Sequence, residues 1–364
     1  MKVLIVYDIG PQSDNPFVRL LAEALRDAGC EAVCSTAEFH TRADAYDVVH
    51  IQWPEALFGW HRPDRTQLAA VEAILRRLRE RGVGIVYTRH NAAPHRGDEL
   101  VAEGYRLVER YADAVVHLGD ASRRELTARG TPEGQLQEVI PHHIYEGIYD
   151  TALPGAEARR MLGIPQRAFV LLAFGTFRHA DERRLVWGAY RRLECSRKYL
   201  LAPRLFPYTY RSRWRTGLRR LATRSLYLAV RALTALAPCR ITSADWMIPD
   251  AELPRYLGAA DVLMIQRTNI LNSGNVTLGF LFGKVVAGPD CGNVGEMLRA
   301  TGNPVFNPAD PHSVDRALAE AARLAAAGHG ARNRAYALEN LTLRRTAQRY
   351  AALYEKLHDR KSGK

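Results

Sequence analysis

The chain has 364 residues, 47% hydrophobic and 25% charged, which is the composition of an ordinary globular protein long enough for two domains with separate cores. Its formal net charge of +12 is concentrated in one region, because residues 195–244 hold eleven Lys and Arg residues and no Asp or Glu. The five cysteines are scattered, which argues against a disulfide framework or a zinc site. No apolar run has the length of a membrane span or a signal peptide. We therefore expect a cytoplasmic protein with reduced thiols.

The first half of the chain alternates predicted strands and helices. Short buried runs predict strands at residues 3–7, 32–34, 48–52, 84–88 and 114–118. Helical spacing of apolar residues predicts helices at residues 17–28, 65–81, 99–111 and 121–129. This alternation indicates a parallel, doubly wound sheet, whose ligands bind at the carboxyl ends of the strands.

The second half repeats this pattern after the turn-rich residues 149–155. Strands are predicted at residues 169–174, 199–202, 240–242, 262–265 and 285–287. Helices are predicted at residues 182–193, 253–259, 311–327 and 331–357, with another opening near Ser273. We therefore predict two Rossmann-like domains with a cleft between them, at residues 1–150 and 151–340. A C-terminal helix and polar tail, residues 341–364, could pack back on the N-terminal domain.

The loop Asn272-Ser273-Gly274-Asn275 lies between a predicted buried strand and a predicted helix. A glycine-containing loop at a helix N-terminus offers free N–H groups and the positive end of the helix dipole to a phosphate. The alternative is an ordinary turn followed by an N-cap.

The basic region from Arg211 to Arg231 predicts an amphipathic helix. Apolar side chains and arginines recur on different faces, namely Trp214, Leu218, Leu221, Leu228, Ala232 and Leu236 against Arg213, Arg220, Arg224 and Arg231. Such a helix favours an anionic membrane surface, with Tyr208 and Trp214 as interfacial anchors. The alternative is the solvated face of an ordinary crossover helix. Nucleic acid is not expected as a partner, because no recognition motif accompanies the charge.

Several short motifs follow one another in order along the chain. They are Asn15-Pro16-Phe17, Asp47-Val-Val-His-Ile-Gln-Trp-Pro-Glu55, Tyr87-Thr-Arg-His-Asn91 with Pro94-His95, Val139-Ile-Pro-His142, Phe174-Gly-Thr-Phe-Arg178, Ile248-Pro-Asp250 and Ile270-Leu-Asn-Ser-Gly274. With these motifs the chain resembles a GT-B glycosyltransferase of the family-4-like bacterial group, which builds exopolysaccharides and related glycoconjugates.

The resemblance implies an α/β fold of the GT-B type, with two Rossmann-like doubly wound domains facing across a cleft. It also implies a UDP- or GDP-sugar on the C-terminal domain and a glycan, polyprenyl-linked or small-molecule acceptor on the N-terminal one. No metal and no cofactor are expected, because basic side chains and helix N-termini stabilise the departing diphosphate in such enzymes. Arg178, Asn272, Ser273, Gly274 and Asn275 would form this clamp.

Two positions depart from the family pattern. The lysine that usually follows the arginine by three residues is replaced by Asp181, so either Arg183 or Arg184 takes over the second phosphate contact or the donor site is altered. The two glutamates of the E-x7-E motif are replaced by Ile270 and Leu278, so retention of anomeric configuration does not follow. Glu296, at the end of the loop 290–296, is either a substitute ribose ligand or a water-facing helix residue.

Three polar residues of the N-terminal half are candidates for catalysis. By resemblance, His90 contacts the donor sugar or the acceptor, with Asn91 as its polar partner. Glu55, at the end of a predicted strand, is the general base if the enzyme inverts, or it merely frames a loop. Asp8 is a second candidate. His142 and His143 are adjacent and lack the spacing of metal ligands.

Three hypotheses about function stay open. The first is a glycosyltransferase, with hexosyl transfer favoured, that works on the inner membrane surface. The second is a GT-B-like nucleotide-sugar epimerase or hydrolase, which would turn over donor without acceptor. The third is a non-catalytic glycan- or lipid-binding protein on a GT-B scaffold, because the E-x7-E pair and the lysine are missing.

Overall fold

The computed structural model describes residues 1–10, 16–93, 98–207, 209–211, 216–245 and 248–363. The chain forms two compact units, Met1–Tyr145 with Asn340–Lys364, and Glu146–Glu339. Several residues used in the sequence predictions lie outside the described residues, namely Asn15, Pro94, His95, Tyr208, Arg213 and Trp214.

The first unit is built on a six-stranded parallel sheet in the order β2-β1-β3-β4-β5-β6. Its strands are β1 Lys2–Val6, β2 Glu31–Cys34, β3 Val48–Ile51, β4 Gly84–Arg89, β5 Ala114–His117 and β6 Leu136–Val139. All residues of β3, β4 and β5 are buried, as expected for parallel strands that are covered on both faces.

Five helices of this unit connect the strands. They are α1 Phe17–Asp27, α2 Thr36–Arg42, α3 Arg65–Glu80, α4 Glu99–Tyr111 and α5 Asp120–Ala128. Local sequence explains their limits, because Asp64 and Gln67 form a capping box at the start of α3 and Asp98 caps α4. These elements place the carboxyl ends of all six strands at one edge of the sheet.

The second unit repeats the arrangement, with a parallel sheet in the order β12-β11-β10-β7-β8-β9. Its strands are β7 Phe169–Leu172, β8 Lys198–Leu201, β9 Cys239–Arg240, β10 Val262–Met264, β11 Val285–Pro289 and β12 Val305–Phe306. Its helices are α6 Gly155–Leu162, α7 Ala180–Arg192, α8 Gly217–Leu233, α9 Leu253–Ala259, α10 Gly274–Leu281, α11 Gly292–Ala300, α12 Pro311–Ala326 and α13 His329–Asn340. The predicted doubly wound α/β architecture is confirmed.

Helix α10 begins at the predicted place, since Ser273 is its N-cap residue. A Cβ atom on Gly279 would lie 2.8 Å from Val286 and 2.9 Å from Leu263, so only glycine lets α10 pack this closely on β10 and β11. The close packing holds the helix N-terminus at the carboxyl edge of the sheet.

The last helix, α14 Leu343–Ser362, belongs to the first unit. Our prediction of one continuous helix over residues 331–357 is wrong. Leu341 is buried, and Thr342 has an extended backbone. The Thr342 hydroxyl caps α14 by accepting a hydrogen bond from the Arg345 amide, so α13 and α14 are separate. Among the described residues, no helix is long and apolar enough to cross a bilayer.

Candidate functional site

The start of α10 is tied to the loop that follows β7. The side-chain amides of Gln266 and Asn275 both donate to the Phe174 carbonyl, at 3.0 Å and 3.3 Å. Asn272 Oδ1 accepts from Asn293 Nδ2 at 2.7 Å, which fastens the loop to α11. The side chain of Ser273 makes no capping hydrogen bond. Two of the predicted phosphate ligands, Asn272 and Asn275, thus also hold the loop in shape.

Arg178, Arg204 and Arg267 lie near one another beside this loop, and two of them bind the buried carboxylate of Glu182, one through its side chain and one through its backbone. Arg267 Nη1 lies 2.9 Å from Glu182 Oε1, and the two side chains are 13% and 3% exposed. The backbone N–H of Arg178 donates to Glu182 Oε2 at 2.6 Å. Arg204, which is 7% exposed, donates from Nη1 to the Thr176 hydroxyl at 3.1 Å.

The pKa values of these arginines reflect burial and mutual repulsion. Burial and then the charges of Arg267 and Arg183 lower the pKa of Arg204 to about 10. Desolvation and then the charge of Arg267 lower the pKa of Arg178. Positive charge therefore accumulates here beyond what Glu182 neutralises, which is the electrostatic condition for binding an anion.

Sequence reasoning did not find Arg204 and Arg267. Each comes shortly after a buried strand, Arg204 after β8 and Arg267 after β10. Because β10, β7 and β8 are neighbours in the sheet, their carboxyl ends bring these arginines beside Arg178. The sequence shows that these arginines follow predicted strands. It does not show the order of the strands in the sheet, which is what brings the arginines together.

The two arginines proposed as substitutes for the missing lysine have other contacts. Arg183 donates to three backbone carbonyls, those of Phe177, His179 and Leu205, and so ties two loops together. Arg184 pairs with Asp181 at 2.8 Å, and both side chains are more than two-thirds exposed (79% and 73%). Arg267 binds Glu182 instead, and Arg204 lies close to Arg267.

We predicted that Glu296 lies at the end of a loop, and this prediction is wrong. Residues 292–300 form α11, and Glu296 sits within that helix, half-buried. Gly292 has a positive φ of 55°, and a Cβ atom there would lie 2.6 Å from the Ile270 carbonyl. This close approach places the start of α11 against the loop before α10.

A cavity of about 530 Å³ is lined in part by Thr268, the residue that follows Arg267 in the sequence. Its lining includes Asp181 and Arg184 from α7, Thr268 from the loop after β10, and residues that follow β12, namely Asn307, Pro308 and Ala309. The cavity belongs to the second unit and lies at the same sheet edge as Arg267. Its size is within the range of small-molecule sites.

In the first unit, His90 follows β4 and is held by aromatic rings. Its imidazole stacks on Trp53, with centroids 4.2 Å apart and planes 15° apart, and meets the edge of Phe17 at 5.1 Å. Burial, and then the nearby His50 and His143, lower the pKa of His90 to about 3. His90 is therefore a neutral imidazole at physiological pH.

A buried hydrogen-bond chain runs from His90 to the last helix. His90 Nε2 lies 2.8 Å from Gln52 Oε1, Gln52 Nε2 lies 3.0 Å from His50 Nε2, and His50 Nδ1 lies 2.7 Å from the Tyr354 hydroxyl. Because an amide oxygen only accepts, His90 carries its proton on Nε2. The chain fixes the tautomer and orientation of the predicted catalytic histidine.

Glu55 lies in a short 3-10 helix, Pro54–Phe58, directly after β3. The Tyr105 hydroxyl is 2.8 Å and 2.9 Å from its two carboxylate oxygens. Burial raises the pKa of Glu55, and the hydrogen bond from Tyr105 partly offsets this rise. A raised pKa is typical of carboxyl groups used in acid–base catalysis.

Asp8 has a local structural partner. Its Oδ1 accepts from the backbone N–H of Thr36 at 2.8 Å, at the first turn of α2. An acidic group at a helix N-terminus is stabilised by free N–H groups and by the helix dipole. The carboxylate of Asp8 thus has a structural role at the start of α2.

Three aromatic side chains gather next to His90. The Tyr7 and Trp53 rings are 5.6 Å apart, and Trp60 lies 6.1 Å from each of them. Trp60 is 55% exposed and has a φ of 65°, a conformation that costs a bulky residue about 1–3 kcal/mol. This aromatic cluster was not predicted from the sequence.

No protein-family model matches the sequence, and no curated protein matches it. The structure is similar to that of sucrose-phosphate synthase from Thermosynechococcus elongatus, with a TM-score of 0.67, 15% identity and 98% of each chain covered. It is also similar to HepE from Anabaena in complex with UDP-glucose, with a TM-score of 0.67, 14% identity, and coverage of 98% of this chain and 100% of that one.

A third similar structure is UDP-GlcNAc 2-epimerase from Methanocaldococcus jannaschii, with a TM-score of 0.57, 10% identity, and coverage of 98% of this chain and 100% of that one. At such low identity these likenesses establish the fold alone. Together with the two six-stranded parallel sheets, they show that the chain has the GT-B fold, an α/β architecture of two Rossmann-like units.

Proposed function

We propose that this protein is a glycosyltransferase that moves a sugar from a UDP- or GDP-sugar to a glycan, lipid-linked or small-molecule acceptor without a divalent metal ion. The observation that carries this proposal is the cluster of Arg178, Arg204 and Arg267 at the carboxyl edge of the second sheet, next to the N-terminus of α10.

The arginine cluster has the chemistry that a leaving diphosphate needs. Guanidinium groups bind phosphate oxygens through charge-assisted hydrogen bonds, often in pairs. Burial, and then the charge of Arg267, lower the pKa values of Arg204 and Arg178, so a bound dianion would stabilise the charged forms of both side chains. Such fixed positive groups stabilise charge that develops on the leaving group, the role that a metal ion has in other enzymes.

The cavity beside Thr268 supports a nucleotide as the rest of the donor. A volume of about 530 Å³ accommodates a nucleoside, and the lining by Leu185, Thr268 and Asn307 combines apolar contact with hydrogen-bonding groups. The similar HepE structures contain UDP or UDP-glucose, which agrees with a nucleotide sugar as the donor.

The first unit supplies the groups for the acceptor side. The raised pKa of Glu55 suits a base that takes a proton from an acceptor hydroxyl, as an inverting transfer requires. Neutral His90, held by Gln52 and Trp53, would position a sugar hydroxyl. The exposed ring of Trp60, beside the partly buried Trp53, offers an apolar face on which a sugar ring could lie.

Donor binding and turnover test the proposal in two steps. We expect one UDP- or GDP-sugar of a panel to raise the unfolding temperature, because ligand at about a hundred times its Kd adds about 2.7 kcal/mol of stability. Inorganic pyrophosphate at the same concentration is the control for charge alone. Release of nucleotide that depends on an added glycan or lipid-linked acceptor, and that persists in excess chelator, would support metal-independent transfer. If no nucleotide sugar stabilises the protein, the proposal is wrong.

A nucleotide-sugar epimerase is the second candidate, because the chain is similar in fold to a UDP-GlcNAc 2-epimerase. The same assay distinguishes the two reactions. In the absence of acceptor, an epimerase or hydrolase would convert the donor, whereas a transferase would consume the donor only slowly. Analysis of the sugar product by NMR would show an inverted ring hydroxyl for an epimerase and a new glycosidic bond for a transferase.

A further inference from the structure

Helix α8 turns its apolar side away from the protein. Leu218, Leu221, Leu228 and Leu233 are 84%, 60%, 50% and 84% exposed. At 3.6 residues per turn they share one face with alanines and a serine, namely Ala222, Ala229, Ala232 and Ser225. The buried residues of α8 are Thr223 and Tyr227, on the opposite side. A helix on a protein surface normally has the reverse orientation, with its apolar side toward the core.

The arginines of α8 flank this outward apolar face. Arg220, Arg224 and Arg231 lie along one border and Arg219 along the other, as helical spacing requires. Two of them are held in place, because Arg231 Nη1 donates to the Tyr227 hydroxyl at 3.1 Å and the Arg224 guanidinium lies 5.8 Å from the Tyr210 ring centroid. Residues 195–244 contain no acidic residue that could neutralise them within the segment.

The helix stands over a cavity of about 500 Å³. Tyr227 and Arg231 of α8 line this cavity. Tyr199, Cys239 and Tyr256, from other parts of the second unit, also line it. The narrow contact through Thr223 and Tyr227 leaves most of the helix surface outside the core.

We propose that α8 is a membrane-docking helix that lies flat on an anionic lipid surface. Its four exposed leucines would enter the boundary between headgroups and acyl chains, and its arginines would contact lipid phosphates. An apolar face bordered by cations is what an interfacial helix requires. A helix of 17 residues with four arginines does not span a bilayer.

Charge complementarity favours lipid over a second copy of this chain. Two copies packed through α8 would bring the same arginines together without an acidic partner from this segment. An anionic bilayer supplies both the apolar layer and the negative charge. This inference does not depend on the proposed function, because it concerns a surface and not the reaction.

Flotation of the full-length protein with lipid vesicles tests the inference in the absence of nucleotide. We expect binding to phosphatidylcholine vesicles that contain phosphatidylglycerol, weak binding to pure phosphatidylcholine, and loss of binding as salt is added. The variant Arg220→Glu with Arg224→Glu should lower the partition coefficient by roughly a thousandfold, since each charge lost near the lipid surface lowers it about fivefold and two reversals count as four charges. Leu221→Gln with Leu228→Gln should lower it at least about tenfold without changing the charge.

Matched substitutions elsewhere in the same unit serve as controls. Arg316→Glu with Arg332→Glu makes the same change in net charge at exposed positions of α12 and α13. Leu338→Gln replaces a leucine of α13 that is 46% exposed. Both controls should bind vesicles within about twofold of the unchanged protein, and circular dichroism should show that every variant is folded.

Two results would overturn the inference. One is equal vesicle binding by the α8 variants and the controls. The other is a dimer in sedimentation velocity, without lipid, that dissociates in Leu221→Gln with Leu228→Gln, because a second copy would then cover this face.

Discussion

Glu182 and Arg267 form a buried ion pair, 2.9 Å from Oε1 to Nη1, that joins α7 to the loop after β10. The second carboxylate oxygen of Glu182 accepts the backbone N–H of Arg178. One side chain thus holds two of the arginines in place while it neutralises only one charge. The pair explains how a cluster of like charges persists in a folded protein before an anion binds.

Glu182→Gln should destabilise the free protein by about 3 kcal/mol, because Arg267 would remain buried without a counter-ion. A nucleoside diphosphate should restore more stability to this variant than to the unchanged protein, since it supplies the missing negative charge. Urea denaturation with and without UDP or GDP measures both effects. Asp181→Asn is the control, because its exposed pair with Arg184 should contribute at most about 1 kcal/mol. Equal stability of the Glu182→Gln and Asp181→Asn proteins would contradict the assigned pairing.

Arg178→Ala should weaken binding of the donor about 10- to 100-fold, the loss expected for a charge-assisted hydrogen bond. The free energy of unfolding should change little, because Arg178 is only partly buried and alanine keeps the backbone N–H that donates to Glu182. Isothermal titration calorimetry with the donor found in the panel gives the affinity. Arg160→Ala, an exposed arginine on α6, should leave it unchanged. An unaltered affinity in Arg178→Ala would remove this residue from the phosphate site.

Tyr105→Phe should shift the acidic limb of kcat/KM to higher pH. Burial raises the pKa of Glu55, and the Tyr105 hydroxyl opposes that rise by donating to the carboxylate. Without the hydroxyl the pKa of Glu55 rises further, so the ionised base forms only at higher pH. Tyr111→Phe, which removes a hydroxyl that donates to Glu72 from the same helix, should not move the profile. A stationary acidic limb in Tyr105→Phe would mean that Glu55 is not the base.

The free energy of unfolding should fall as the pH drops below about 6.5, the ordinary pKa of histidine. Burial lowers the pKa of His50 to about 3 and that of His143 to about 4. Below about pH 6.5 the unfolded chain therefore binds protons at these histidines, whereas the folded chain does not. Each such histidine lowers the free energy of unfolding by up to about 1.4 kcal/mol for every unit by which the pH falls, until its folded-state pKa is reached.

Denaturation by urea at a series of pH values gives the number of protons taken up on unfolding. His50→Gln should lower that number by about one between the two pKa values, whereas His61→Gln, at an exposed position, should not change it. If His50→Gln keeps the full slope, His50 does not remain neutral in the folded protein.

Local sequence determined most of the elements and some site positions. The capping residues of α3, the strand pattern of β4 and the glycine-containing start of α10 depend on neighbours within a few residues, so they could be predicted. The break at Leu341 and the helix that contains Glu296 were missed, because burial of one leucine and close packing of Gly292 depend on distant parts of the chain.

The sequence by itself determined the alternating α/β pattern, the arginine after β7 and the amphipathic character of residues 217–233. Only the tertiary structure decided that β10, β7 and β8 are neighbours, and hence that Arg267 lies close to both Arg178 and Arg204. It also decided that α8 faces outward with its leucines. Periodicity records which residues share a face, whereas long-range packing determines what that face meets.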